Sequence, residues 1–390
     1  MIYPWQAEKW QQLAAQIAAP AAGTRLPHAL LLHGAQGIGK LDFARHLAKA
    51  LLCENLQVGA NPCGTCGGCR WLADGNHPDF RVLVPDALRR PLGFAASSAE
   101  EEGDGDAKPA AEASDAEPVP KKKALSKEIR IEEVRQLGPL MNVSTHRGTR
   151  RVVLVVPAEA INVPASNALL KMLEEPPANT HFILVSHKID RILPTIKSRC
   201  ALLGFGKPQQ DQAVAWLAEQ KISHPAAVLS ASGGRPLLAA QAALRSGTAA
   251  QALTEALAQS AGAGGRMDPI ALAEVLAKMI DSKAAEKAAE KAAEKADRGD
   301  EAPKQGLPDL VNALMRWVSD LILSAQTGTV RYHPAHARVI ERFSRSLGVA
   351  DLHRALRDLA RKQRIANHPL NARLFLEDVL ISYARLHARV

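Results

Sequence analysis

Aromatic side chains make up only 4% of this 390-residue chain. All-β sandwiches and barrels draw heavily on aromatic and β-branched residues, so the shortage argues against them and favours Ala/Leu-rich helices. Long apolar runs are lacking as well, and none approaches the roughly 18 residues that a membrane-crossing helix needs. The opening "MIYPWQAEKWQQ" is polar and has no basic-then-apolar leader pattern. The expectation is a cytoplasmic protein with no membrane partner. Cysteine is scarce and uneven, with four of the five crowded between residues 53 and 69. That spread does not resemble a disulfide framework. Acidic residues are outnumbered, 40 against 49 Lys plus Arg, for a net charge of +9. The surplus favours nucleic acid or another acidic partner, although a solvated basic surface would give the same sum.

The length allows two or three domains. Over residues 1–206 strand and helix patterns alternate. A helix is expected over residues 5–25, leading into the short strand "HALLLHG". Next comes a helix whose apolar residues Leu41, Phe43, Ala44, Leu47, Ala50 and Leu51 recur at helical spacing. "DFRVLV" at 79–84 reads as a strand, "IRIEEVRQLGPLM" as a helix and "TRRVVLVV" at 149–156 as a buried strand. "SNALLKMLEE" follows as a helix closed by Pro176 and Pro177, and "HFILVS" as another strand. This alternation predicts a parallel α/β sheet flanked by helices. Residues 86–127, acidic and then basic and poor in large apolar side chains, are expected to be a disordered insertion. After Gly206 the strands stop. Residues 207–250 form a small helical unit, and 251–390 an all-helical region interrupted by "KAAEKAAEKAAEKA" at 283–296. That repeat has no core-facing stripe and reads as a solvated spacer.

"HGAQGIGKL" places Gly34, Gly37, Gly39 and Lys40 in the register of a phosphate-binding loop between a strand and a helix. Leu41 stands where a Ser or Thr hydroxyl would ligate Mg²⁺. The acidic pair expected at the tip of a later strand is also missing, because Val156 and Pro157 follow "RVVLV" and Glu159 comes two residues later, where it would point elsewhere. ATP binding without hydrolysis, and a purely structural turn, are both consistent with these residues. The second cluster is "CENLQVGANPCGTCGGC". Cys53, Cys63, Cys66 and Cys69 suit a tetrahedral structural zinc whose coordination shell they fill, while a reduced cluster or redox pair is the plainer alternative. Cys200 lies far from it in sequence. A third feature is Arg199 in "TIKSRCALLGF", at the end of an element, where a guanidinium can stabilise charge on a neighbour's phosphate. A lone Arg at such a place is more often a surface or ion-pair residue.

"YPW" at 3–5, the loop, the C-x9-C-x2-C-x2-C knuckle, "NHPDF", "IRIEEVRQL", "NALLKMLEEPP" and "IKSRC" occur in an order that resembles the bacterial clamp-loader subunits of the AAA+ class. The likeness covers most of residues 1–206 and weakens beyond, to a lid-like unit at 207–250 and collar-like closing helices within 251–390. It implies an AAA+ P-loop domain, a lid and a collar. It further implies zinc on Cys53, Cys63, Cys66 and Cys69, and a role in loading a sliding clamp onto primed DNA within the DNA polymerase III assembly. The motor subunits of that group, gamma and tau, keep the residues missing here. The resemblance therefore implies a non-hydrolysing stator in a five-subunit ring with gamma/tau and delta, offering Arg199 in trans to a neighbour's ATP. The lid arginine of the motors would fall near Pro236, with Arg235 offset by one. The competing readings are an autonomous P-loop ATPase and a zinc-dependent nucleic-acid-binding module with no ring partner.

Overall fold

The computed structural model describes residues 1–18, 26–94, 126–141, 150–244, 249–263, 267–281, 306–366, 368 and 371–386. Most of the expected insertion and all of the 283–296 repeat lie outside the described residues. The chain divides into two compact units, Met1–Lys207 and Pro208–Val390.

The first unit is built on five strands: β1 (Ala29–Gly34), β2 (Phe80–Leu83), β3 (Arg151–Val155), β4 (Thr180–Ser186) and β5 (Ala201–Phe205). Their order is β2-β3-β4-β1-β5, and every pairing is parallel. In register, Leu31 faces Leu184 on one side and Leu202 on the other. Successive side chains leave opposite faces of a strand. Leu30, Leu32, Val152, Leu154, Ile183 and Val185 therefore join one core with α1 (Ala7–Ala18) and α2 (Lys40–Leu52). Ala29, Leu31, Val153, Val155, Phe182 and Leu184 join a second core on the other face. A sheet covered on both sides needs continuous apolar strands, which is why β3 is buried along its whole length. Each fully buried Leu or Phe here contributes about 1.5–3 kcal/mol relative to exposure.

The short helix α3 (Gly67–Ala73) follows the cysteine segment, and α4 (Asp86–Arg89) follows β2. Residues 86–94, expected to open the disordered insertion, are instead ordered: a 3-10 turn at Arg90–Leu92 continues α4, and Leu88, Leu92 and Phe94 pack on the first core. Three apolar side chains within seven residues bury enough surface to hold this stretch, which its flanking composition obscures. "IRIEEVRQLGPLM" forms two helices, α5 (Ile131–Arg135) and α6 (Leu137–Met141), instead of one. Pro139 has no N–H to donate to the Arg135 carbonyl and its ring crowds that oxygen. The first helix also begins later than expected, a 3-10 turn at Pro4–Gln6 preceding α1, and residues 19–25 of the expected span lie outside the described residues. Helix α7 (Val163–Glu174) is capped by Asn162, whose side chain accepts from the Ala165 N–H at 2.9 Å, and α8 (Pro194–Lys197) leads into β5.

The second unit is all helical among its described residues. α9 (Gln210–Glu219), α10 (Pro225–Ala231) and α11 (Pro236–Leu244) share a small core of Ala213, Leu217, Leu229 and Ala239. A larger core unites α12 (Ala249–Gly262), α13 (Pro269–Asp281), α14 (Leu307–Thr327), α15 (Ala337–Ser344), α16 (Val349–Ile365) and α17 (Ala372–Ala384). Helix α12 starts at Ala249, and that residue already belongs to the larger core, so the 250/251 boundary falls inside a helix. Trp317 is fully buried at the centre, and its indole N–H donates to the Tyr383 hydroxyl at 2.9 Å.

Candidate functional site

The glycine-rich loop leaves β1 at the carboxyl edge of the sheet, where β1 lies between β4 and β5. Ligands of open parallel sheets bind at such an edge. Two glycines are required there by space as well as conformation. Gly34 has φ 143°, and a Cβ would meet the Phe205 carbonyl oxygen at 2.2 Å. Gly39 has φ 87°, and its Cβ would meet the Tyr3 ring at 2.5 Å. Gly37 sits in the turn between them, and Lys40 begins α2.

Lys40 is 2% exposed, and its ammonium donates to the carbonyls of Gly34 at 2.8 Å and Ala35 at 2.6 Å. Burial pushes its pKa down to about 8, with the Glu159 carboxylate opposing. The loop is also clasped from the N-terminus. The fully buried Gln6 amide donates to the Ile38 and Gly39 carbonyls at 3.0 and 2.9 Å. The Trp5 indole N–H donates to the Ile38 carbonyl at 3.0 Å, and the Tyr3 hydroxyl bonds Asp42 at 3.0 Å. "YPW" is thus the outer wall of the loop, a role visible only once residues 3–6 and 38–42 are brought together.

The positions that would carry metal and base chemistry are apolar in space as in sequence. Leu41 packs against the first core and Val156 is a buried member of it. Glu159 does not point elsewhere, as its distance from the strand suggested. Both its oxygens accept the His187 N–H, at 3.0 and 3.2 Å, and the carboxylate is close enough to Lys40 to oppose the fall in that group's pKa. A 3-10 turn at Ala158–Ala160 turns the chain back and produces this placement. His187 is driven down to about 4 by burial first and by the Lys40 charge next. Lys40, Glu159 and His187 therefore form one electrostatic cluster at the sheet edge, and of the three only Lys40 sits in a recognisable sequence motif.

Cys53, Cys63, Cys66 and Cys69 come together, with all four sulfurs within 4.8 Å of one another. The sulfurs approach to 3.6 Å for Cys53–Cys63, 3.9 Å for Cys53–Cys66 and 4.0 Å for Cys63–Cys69. Four thiolates about 2.3 Å from one tetrahedral ion lie about 3.8 Å apart, so the spacing fits a metal. Backbone N–H groups support the sulfurs: Cys63 donates to Cys53 Sγ and Cys66 to Cys63 Sγ, each at 3.3 Å, and Cys69 to Cys66 Sγ at 3.4 Å. Cys53 follows the last residue of α2 and Cys66 caps α3, so the sheet domain itself positions the cluster. Cys200 is not part of it. It is buried in the second sheet core, and burial pushes its thiol up to about 11.

Arg199 lies between α8 and β5. Its guanidinium donates to the Thr195 carbonyl at 3.0 Å and to Ser198 Oγ at 3.3 Å, and pairs with Glu174 at the end of α7. Arg235, the candidate lid arginine, donates instead to the Ser232 carbonyl at 2.8 Å, and Arg316 of α14 donates to the Ala231 carbonyl at 2.8 Å. Both guanidiniums thus serve the carbonyl end of α10.

The sequence profile of the family described as DNA polymerase III, delta subunit, matches residues 5–209. The chain is 37% identical over 242 residues to DNA polymerase III subunit delta' of Pseudomonas aeruginosa, covering 61% of this chain and 60% of that protein. It is 31% identical over 237 residues to DNA polymerase III subunit delta' of Escherichia coli, covering 60% of this chain and 58% of that protein. It is also 30% identical over 176 residues to DNA polymerase III subunit tau of Salmonella typhimurium, covering 45% of this chain and 21% of that protein. The chain therefore spans less than two thirds of the length of these relatives.

Proposed function

This chain belongs to the DNA polymerase III delta subunit family, and from that premise we propose that it is the delta-prime stator of the clamp loader. It joins gamma/tau and delta in a five-subunit ring that opens a sliding clamp and sets it on primed DNA. In this reading the chain does not hydrolyse ATP. The observation that carries the proposal is that Leu41 and Val156, where an Mg²⁺ hydroxyl and carboxylate would stand, are parts of the hydrophobic core. Phosphoryl transfer relies on placed charge and an oriented nucleophile, and neither can come from aliphatic side chains. The loop retains the amides and lysine that hold phosphates, and ATP binding without turnover is compatible with it. Arg199 is the residue with a catalytic role, acting on the ATP of a neighbouring motor subunit. Cys53, Cys63, Cys66 and Cys69 would hold zinc, which would supply cross-linking of the α2–α3 connection and no chemistry, since four protein ligands fill its shell.

The test is an ATPase assay of the purified chain and of the ring reconstituted with and without it. The expected result is no turnover by the chain alone and turnover by the ring that requires the chain. Turnover by the isolated chain that Lys40→Ala abolishes would make it an autonomous motor instead.

A further inference from the structure

Helix α16 carries two populations of basic residues. On one flank the charges are consumed: Arg354 pairs with Asp351, and Lys362 bonds Asp358 at 3.3 Å, Asp378 at 2.8 Å and Ser382 Oγ at 2.7 Å. The other population is Arg357, Arg361 and Arg364, preceded by His353, and all four are exposed. Among the described residues the three arginines have no ion-pair partner. At about 100° per residue, His353, Arg357, Arg361 and Arg364 fall within about 80° of one another. That arc faces away from Leu352 and Leu359, the buried residues that pack the helix into the core. The three guanidiniums project at successive turns, about 6 Å and about 4.5 Å apart along the axis, from a helix fixed by its packing on α14.

We infer that this arginine stripe is a contact for the phosphate backbone of nucleic acid. Charge complementarity selects the occupant. A row of single charges one helical turn apart suits a linear polyanion. Guanidinium rather than ammonium groups suit bidentate binding of phosphate oxygens. A protein partner would need aromatic or branched apolar anchors at the centre of its footprint. Ala360 is the exposed apolar residue between Arg357 and Arg364, and Ile365, 48% exposed, lies past the last arginine at the end of the helix rather than at the centre of the stripe. Contacts of this kind position a nucleic acid without reading its sequence. The inference is independent of the stator reading, because its readout is binding by this chain alone.

The experiment is fluorescence anisotropy of the full chain with a labelled primed-template DNA across a salt series. The Arg357→Ala/Arg361→Ala/Arg364→Ala variant is compared with wild type and with the matching triple Lys variant. Loss of three phosphate contacts should weaken binding at least tenfold and reduce the slope of log K against log salt by about 2.7, at 0.9 per contact. The Lys variant, which keeps the charges, should retain the slope and controls for folding. Wild-type affinity and slope in the Ala variant would overturn the inference, as would wild-type protein that shows no salt-dependent binding. Arginine-dependent binding of polyglutamate, with DNA binding unchanged by the substitutions, would overturn it in favour of an acidic protein partner.

Discussion

The guanidinium of Arg199 is held by the carboxylate of Glu174, 2.5 Å from Nη2 to Oε1, with the two side chains 35% and 48% exposed. The pair joins the two motifs most specific to the sequence, "LLKMLEEPP" and "KSRC". Ion pairs this exposed contribute about 0–1 kcal/mol, so a phosphate oxygen can readily displace the carboxylate. Arg199→Ala is expected to leave thermal unfolding and ring assembly essentially unchanged while lowering ATP turnover at the site it faces by on the order of 10³-fold. Glu174→Gln should preserve or raise that turnover. Unchanged turnover in the Ala variant would remove the role in trans.

Metal content checks the cysteine cluster. Elemental analysis should find about one zinc per chain, because four thiolates complete one tetrahedral shell. Stripping it with a chelator, or making Cys66→Ser, should lower the melting temperature. Each 1 kcal/mol lost lowers it by about 2–4 °C in a domain of this size. An unaltered melting temperature after complete metal removal would show that the cluster does not hold the fold through a metal.

Lys40 makes a pH prediction with a definite sign. Its folded pKa of about 8 lies below the ordinary 10.5. Between these values the unfolded chain binds the proton more strongly, so stability rises with pH through that window. Charged and buried below pH 8, Lys40 opposes folding by up to ~3 kcal/mol, at 1.36 kcal/mol per unit. Urea unfolding of wild type and Lys40→Met from pH 7 to 10.5 should show wild type gaining relative to the variant. A constant difference between them would contradict the buried, partly neutralised lysine.

Asp320 is the polar keystone of the helical unit. It is fully buried and accepts the N–H groups of Arg331, Tyr332 and His333 at 2.8–3.0 Å, together with the His333 ring. Burial alone would raise its pKa, but the His333 ring and these N–H groups outweigh burial and hold it below the usual range. Its contribution is therefore present above the ordinary carboxylate pKa and lost as pH falls through the lower folded value. Asp320→Ala leaves three N–H donors without that acceptor and should cost about 3–5 kcal/mol, read by urea unfolding at neutral pH. A loss under 1 kcal/mol would mean the loop at 331–333 is held by other contacts.

Much of the sheet domain was legible because its signals are local. β3 had to be a buried strand because the unbroken apolar run Val152–Val155 cannot face water, and α7 had to end before Pro176. The spacing of Gly34, Gly39 and Lys40 marked the loop, and the crowding of four cysteines marked the knuckle. Residues 86–94 were misread because three anchoring side chains are a weak signal beside a long polar stretch. Glu159 was misread because a tight turn reverses the chain after β3. Gln6 and Glu174 carried no signal, since a lone polar residue beside an apolar pattern looks solvated.

By itself the sequence determined the plan of an α/β part followed by helical parts, the apolar residues at positions 41 and 156, and the inventory of thiols and arginines. These follow from side-chain period and chemistry, which need no knowledge of distant neighbours. Only the tertiary structure decided that the Lys40 ammonium turns into its own loop and that Glu159 faces the site. It also decided that Arg199 rests on Glu174 and that four sulfurs from a 17-residue stretch share one small volume. Those relations join residues from separate elements, and their geometry is set by the packing of helices on the sheet, where a turn of one residue redirects a charge.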